Sequence, residues 1–191
     1  MNIYDIIIIG AGAAGLSAAR TAIANNKKIL ILEMANLPAR KVEISGGGRC
    51  NITNLSVNYD RYFGNNPRFV QSAISKVKPT DVLAWATKHN LQPIEEKTYG
   101  RFFCNAGANA VKNALLHDIK SEHIIYNTKV GEITKQDNVF HVLTDNNTYY
   151  SKSVIVATGG TSFHSVGVSD AGYKIAKYLG HKIVPVRPAL C

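Results

Sequence analysis

The run Tyr4-Asp5-Ile6-Ile7-Ile8-Ile9-Gly10-Ala11-Gly12-Ala13-Ala14-Gly15 restricts the possible folds of this chain more than any other segment. Four consecutive isoleucines predict a short strand covered on both faces, as in a parallel sheet. The G-x-G-x-x-G spacing predicts a sharp turn into a helix over residues 16–25, then a second strand over residues 28–32 ending at Glu33. Each glycine answers a separate need. Gly10 permits the turn, Gly12 lets backbone approach a diphosphate, and Gly15 lets the helix lie close on the strand. The N–H groups and dipole of the helix N-terminus attract such an anion. Glu33 stands where a carboxylate accepts both hydroxyl hydrogens of an adenosine ribose, which favours a ribose without a 2′-phosphate. Removing it is expected to weaken ligand retention and to leave the fold intact. This motif by itself serves FAD and NAD equally.

A length of 191 residues, 46% of them hydrophobic, suits one domain, or one domain and the start of another. The apolar stretch from Ile6 to Ala24 reads neither as a signal peptide nor as a membrane span, because Asp5 precedes it, Arg20 interrupts it and glycines punctuate it. Cys50, Cys104 and Cys191 are odd in number and lack C-x-x-C spacing, which argues against a disulfide scaffold or zinc site and suits a reducing cytoplasm. With no second cysteine at a resolving spacing, Cys50 reads as a packed or ligand-lining thiol. The net charge of +9 permits a nucleic-acid partner. Yet no basic run exceeds a pair such as Lys27-Lys28 or Arg40-Lys41, and no recognition motif accompanies them. A solvated basic surface is expected, with neither nucleic acid nor membrane as partner.

Further along, residues 67–77 and 80–90 read as helices, the second with Thr80 as N-cap, Asp81 in its first turn and Val82, Leu83 and Trp85 as core. Residues 108–121 read as a third helix leading into a strand at 124–126. Short alternating strands at 129–134, 139–144 and 148–150 predict a β-meander. A separate buried strand at 154–157 opens into Thr158-Gly159-Gly160, and a helix over 171–179 is stopped by Gly180. No repeat or flexible linker is evident, so residues 1–191 read as one domain.

A second Gly-rich segment, Lys41 to Asn54, is too long and irregular for a plain connection. Gly46, Gly47 and Gly48 permit positive φ and close approach to a ligand, Ser45, Asn51, Thr53 and Asn54 offer hydrogen bonds, and Lys41 and Arg49 offer charge. That suits a ring system with a phosphate, and a simple NAD domain does not need it. His164 and His181 are lone histidines, more often structural than catalytic. Arg101 beside Phe102 and Phe103 either faces an anionic substrate or covers apolar surface. No Ser-His-Asp set, metal cluster or paired catalytic carboxylates can be assembled, and no catalytic residue is assigned.

The Ser-Gly-Gly-Gly-Arg-Cys-Asn-x-Thr-Asn run after Tyr-Asp-x-x-x-x-Gly-x-Gly-x-x-Gly resembles the bacterial FAD-dependent oxidoreductases grouped as YhiN/BaiN-like, or aminoacetone-oxidase-like, flavoproteins. Val154 to Gly160, Gly100-Arg101-Phe102-Phe103, Gly167, Gly172-Tyr173, Leu179-Gly180-His181 and Pro188-Ala189-Leu190 are similar to further landmarks of that family. The resemblance implies a Rossmann-type FAD-binding α/β domain of the glutathione-reductase class with a β-meander. It implies that Gly10, Gly12, Ala13, Ala14 and Gly15 hold the pyrophosphate and Glu33 the ribose. Lys41, Gly46, Gly47, Arg49, Cys50, Asn51 and Thr53 would lie along the flavin, Val130 would meet adenine through its backbone, and Thr158, Gly159 and Gly160 would close over the cofactor. Lys41 or Arg49 would stabilise the reduced flavin. Cys104 and His164 stand where the family often has proline. Family members run to roughly twice this length, so residues 185–191 are expected to begin an inserted substrate domain before which the chain is truncated. The function implied is a cytoplasmic bacterial flavoprotein oxidoreductase of a small organic substrate, with NAD(P)H as transient electron donor. The alternatives are a non-catalytic dinucleotide-binding fragment and an NAD-binding dehydrogenase domain.

Overall fold

The computed structural model describes residues 2–64, 66, 68–96, 100–162 and 170–186. The expectations for Pro67, His164, Gly167 and residues 187–191 lie outside these. The chain forms two compact units, Met1–Arg40 with Leu115–Cys191, and Lys41–Ala114.

The first unit begins with β1 (Ile3–Ile9), α1 (Ala13–Ala24) and β2 (Ile29–Leu32). The second carries α2 (Arg40–Ile44), β3 (Asn51–Asn54), α3 (Gln71–Lys76), α4 (Pro79–Lys88), β4 (Pro93–Glu96), β5 (Arg101–Cys104) and most of α5 (Ala108–Leu116). The first resumes with β6 (Ile124–Ile125), β7 (Val130–Gln136), β8 (Val139–Thr144), β9 (Thr148–Val156) and α6 (Ala171–Tyr178).

In the first unit a six-stranded sheet runs in the order β6-β2-β1-β9-β8-β7. Strands β6, β2, β1 and β9 are parallel, and β9, β8 and β7 are antiparallel. Because side chains alternate along a strand, Ile7 and Ile9 share one face of the sheet with Leu30 and Leu32. There they meet Val130, Ile133 and Val142 of the meander and Ile175 of α6. Ile8 points to the other face, beneath α1, whose Gly15, Leu16, Ala19 and Ala22 are buried. Burying each large aliphatic side chain contributes about 1.5–3 kcal/mol, so the isoleucine run anchors layers on both sides. Asp5 ties the strands laterally: its carboxylate accepts the Lys28 N–H at 2.9 Å and the Lys152 ammonium at 2.7 Å. Those two bonds hold its carboxyl below the ordinary carboxylate value.

The meander's third strand and the strand expected at 154–157 are a single element, β9. It pairs with β8 through Thr148 to Ser151 and with β1 from Tyr150 to Val156. Ser151-Lys152-Ser153 looks like a polar break, but Ser151 is wholly buried and its hydroxyl donates to the Ser153 carbonyl at 2.9 Å, so the strand continues through it.

In the second unit, β3, β5 and β4 form an antiparallel sheet with β5 central. Among the described residues of the helix expected over 67–77, α3 is the helical part. Tight turns precede it, in which Phe69 and Gln71 donate to carbonyls three residues back, and the first four-residue bond is Ile74 N–H to Val70. The cap of α4 is Lys78 rather than Thr80: Pro79 takes the first helical position, where its missing N–H costs nothing, and the Asp81 carboxylate reaches back to the Lys78 N–H at 2.8 Å. Of the apolar residues of α4, Ala86 is buried, and Val82, Leu83 and Trp85 are half-buried. The helix α5 ends at Leu116, short of the expected Ser121. The Ile119 N–H closes a three-residue turn on Leu116, and Asp118 accepts Arg20 Nε and Nη2 at 3.1 and 2.9 Å.

Candidate dinucleotide-binding site

The carboxyl ends of β1, β2 and β9 converge in the first unit. Gly10 has φ of 105°, and a Cβ there would lie 2.5 Å from the Ala157 carbonyl oxygen, so both its conformation and the adjacent strand demand glycine. Gly15 is helical, but a Cβ on it would collide with the Gly10 carbonyl. Gly12, the extended N-cap of α1, differs from both: nothing lies within 4 Å of where its Cβ would be. No side chain caps α1, no acidic residue occupies its first turn, and Ala13 and Ala14 are exposed. Here an open backbone precedes a helix N-terminus, as anion binding requires.

Glu33 faces this turn. Its Oε2 accepts the Ala11 N–H at 2.6 Å and its Oε1 accepts the Ala35 N–H at 2.8 Å. The carboxylate is thereby fastened from both sides, and each oxygen keeps lone-pair capacity for a further donor such as a ribose hydroxyl. The surrounding backbone is equally tied: Gly10 N–H donates to Leu32, Glu33 N–H to Ile125, Thr128 N–H to Glu33, and Ala39 N–H to Ala11, all at 2.8–2.9 Å. The Glu33 side chain thus joins the glycine turn to the end of β2, a structural part that the sequence reading did not give it.

Thr158 adjoins Gly10, its Cα 3.1 Å from the Cβ position there, and Gly159 has φ of 72°. A Cβ on Gly172 of α6 would collide with the Thr158 hydroxyl, so α6 abuts this loop. Val130, expected to touch adenine through its backbone, buries its side chain in the core against β1 and β2. Sequence reasoning missed the Ala11 and Ala35 amides, which no residue type marks. It also missed Tyr126, whose phenol is pushed up by burial and then by the Glu33 charge. Only the pairing of β6 with β2 brings Tyr126 beside Glu33.

The second Gly-rich segment lies in the second unit. It is a short helix, a tight turn over Ser45–Gly48 and the strand β3. Gly46, Gly47 and Gly48 all have positive φ, at 57°, 64° and 84°. A Cβ on Gly46 would come within 2.9 Å of the Phe103 ring, whereas Gly47 and Gly48 face open space. Lys41 lies in α2, half-buried. Arg49 lies over the Phe103 ring at 4.5 Å and pairs with Glu96 at 3.0 Å, so its charge has a carboxylate partner. Arg101 approaches the same carboxylate at 4.0 Å. Asn51 and Thr53 lie opposite Phe103 and Phe102 in β5, and Cys50 is buried. Among the described residues no cluster of His, Cys, Asp and Glu is arranged to hold a metal, and no helix is long and apolar enough to cross a membrane.

Known proteins resemble this chain. The ribosomal RNA dihydrouridine synthase of Escherichia coli (strain K12) is 33% identical over 192 residues, covering 100% of this chain and 48% of that protein. The 3-dehydro-bile acid delta(4,6)-reductase of Clostridium scindens is 28% identical over 188 residues, 96% of this chain and 46% of that protein. This chain spans about half the length of these curated relatives. The crystal structure of OTEMO in complex with FAD and NADP shares the fold, with a TM-score of 0.50 and 18% identity over 83% of this chain and 26% of that one. The family model described as HI0933-like protein Rossmann domain matches residues 4–187. Since that match takes in both Gly-rich runs, the chain belongs to the HI0933-like Rossmann-domain family, the YhiN/BaiN-like group that those runs resemble.

Proposed function

We propose that this chain is the FAD-binding part of a flavoprotein oxidoreductase acting on a small organic substrate, with NAD(P)H as transient electron donor. The observation that carries this reading is the Glu33 carboxylate, held by Ala11 and Ala35 beside the open backbone of Gly12. That arrangement fits an adenosine diphosphate: Gly12 leaves room, Ala13 to Gly15 present the helix N-terminus to the charge, and Glu33 accepts the ribose hydroxyls. Bound FAD would supply the two-electron chemistry for which side chains have no equivalent. Lys41, Gly46, Gly47, Arg49, Cys50, Asn51 and Thr53 are proposed for the flavin side on family resemblance, with Val130 for adenine and Thr158 to Gly160 for closure over the cofactor. The positive-φ turn at Gly46 to Gly48, open at Gly47 and Gly48, supports the flavin-side part of that assignment.

The test is to purify the chain, and a form extended to the length of its relatives, and to chromatograph the nucleotide released on heating. FAD is expected from the extended form, and release of NAD alone would refute the reading. The kinship with a ribosomal RNA dihydrouridine synthase, together with the net charge of +9, favours one second reading, in which the reduced substrate is a base in RNA. Salt-dependent binding of ribosomal RNA by the extended form would support it.

A further inference from the structure

The second unit holds an arrangement that sequence spacing conceals. The ladder of β3 and β5 ends with Asn51 opposite Phe103, and Cys50, the residue just before it, turns out of the extended conformation with φ of 54° beside the end of β5. The Cys104 N–H joins the two residues, donating to the Arg49 carbonyl at 2.9 Å and to the Cys50 carbonyl at 3.2 Å, while the Cys50 N–H donates to the Ser45 carbonyl at 3.0 Å. A single backbone N–H···O=C bond keeps the two Cα atoms roughly 5–6.5 Å apart, given standard backbone dimensions. That lies inside the ~4.4–6.8 Å over which a disulfide closes without moving the backbone. Both cysteines are free and buried, Cys50 7% exposed and Cys104 fully enclosed. Burial pushes the Cys104 thiol up, and the charge of the neighbouring Cys50 sulfur adds to the effect.

We propose that Cys50 and Cys104 form a dithiol that closes into an intrachain disulfide when the protein meets hydrogen peroxide. The more accessible Cys50 sulfur attacks one peroxide oxygen; the O–O bond breaks, water leaves and a sulfenic acid forms. The Cys104 sulfur, kept protonated by burial until that moment, then attacks the Cys50 sulfur. The S–S bond forms as the S–O bond breaks, and a second water carries off the Cys104 proton. Two thiols have lost two electrons, and one peroxide has become two waters. Because Cys50 directly follows the turn of Ser45–Gly48, the bond would tether the end of that turn to the end of β5. Reduction by a small thiol would release it.

The test uses the purified chain, treated with hydrogen peroxide, denatured, alkylated and digested for mass spectrometry. The expected product is a linked peptide pair joining Cys50 to Cys104, two hydrogens lighter than its parts and separated by dithiothreitol, with Cys191 still alkylated. In Cys104→Ala, Cys50 should be trapped as its sulfenic acid by dimedone. The proposal is overturned if Cys50 and Cys104 both remain alkylated at peroxide levels that oxidise free cysteine. It is equally overturned if Cys191 links to either in place of the Cys50–Cys104 bond, or if wild-type Cys50 passes to sulfinic acid unlinked. The decisive product is read in the wild-type chain, so the experiment still decides the matter if the variant folds poorly.

Discussion

Replacing Glu33 tests the nucleotide turn most directly, because its carboxylate has two measurable jobs. With no ligand present it accepts the Ala11 and Ala35 N–H groups at 2.6 and 2.8 Å, in a half-buried setting. A hydrogen bond to a charged group contributes about 1.5–3 kcal/mol. Taking the low end for each bond because solvent reaches the site, Glu33→Ala should cost ~3 kcal/mol. For a chain of this size that lowers the melting temperature by about 6–12 °C. Glu33→Gln keeps one acceptor and turns an amide towards the other N–H, so roughly half that loss is expected, ~1.5 kcal/mol. Scanning calorimetry of the nucleotide-free chain reads this first job. Titration with adenosine diphosphate reads the second, where losing the ribose acceptor should weaken binding by about 1–3 kcal/mol, or roughly 5- to 150-fold. An unmoved melting temperature in Glu33→Ala would show that the two backbone bonds do not support the turn. A lowered melting temperature with unchanged affinity would leave the carboxylate purely structural and remove the main support for the FAD reading.

Gly15→Ala places a methyl group against the Gly10 carbonyl in an otherwise ordinary helical position, so it should destabilise by ~1–3 kcal/mol through overpacking, measured by urea unfolding. Gly47→Val presents the opposite case: space is open, but φ of 64° costs a non-glycine residue about 1–2 kcal/mol. Flavin retention in the extended form should fall before folding does, and normal FAD binding would return this turn to a merely connecting role. Asp118 is held below the ordinary carboxylate value by His117 first and Arg20 second. A depressed carboxyl stabilises the fold above its unfolded pKa and loses that contribution as pH falls through its folded value. Asp118→Asn should therefore flatten the acid limb of the stability curve below about pH 4, followed by circular dichroism, and an unchanged limb would discount the pair.

The β-α-β start was legible because its signals are local: an apolar run, three glycines and an acid at fixed spacing. The hairpin of β7 and β8 was legible for the same reason, with Asp137-Asn138 at its turn. What escaped depends on neighbours distant in sequence. Ser151 looks like a break until the sheet around it accounts for its burial, and Lys78 is an unlikely cap unless Pro79 and Asp81 are taken together. The partners of Glu33 are backbone amides, invisible to residue type, and the apposition of Cys50 with Cys104 exists only once β3 and β5 are registered. Arg49 reads as a free charge in sequence because Glu96 and Phe103 reach it only through that same sheet.

The place of β9 has a consequence for synthesis on the ribosome. Strand β1 finds β2 almost at once, but its other edge pairs with residues 150–156. Translation at about 5–20 residues per second leaves that edge open for on the order of ten seconds, while the whole of Lys41–Ala114 emerges in between. Throughout that interval a strand with four consecutive isoleucines offers unpaired amides and carbonyls to any extended chain nearby, which is the usual opening for aggregation. A nascent polypeptide of this design has most need of a chaperone before β9 leaves the exit tunnel, and synonymous codons that slow the passage from β2 to β9 should lower its soluble yield.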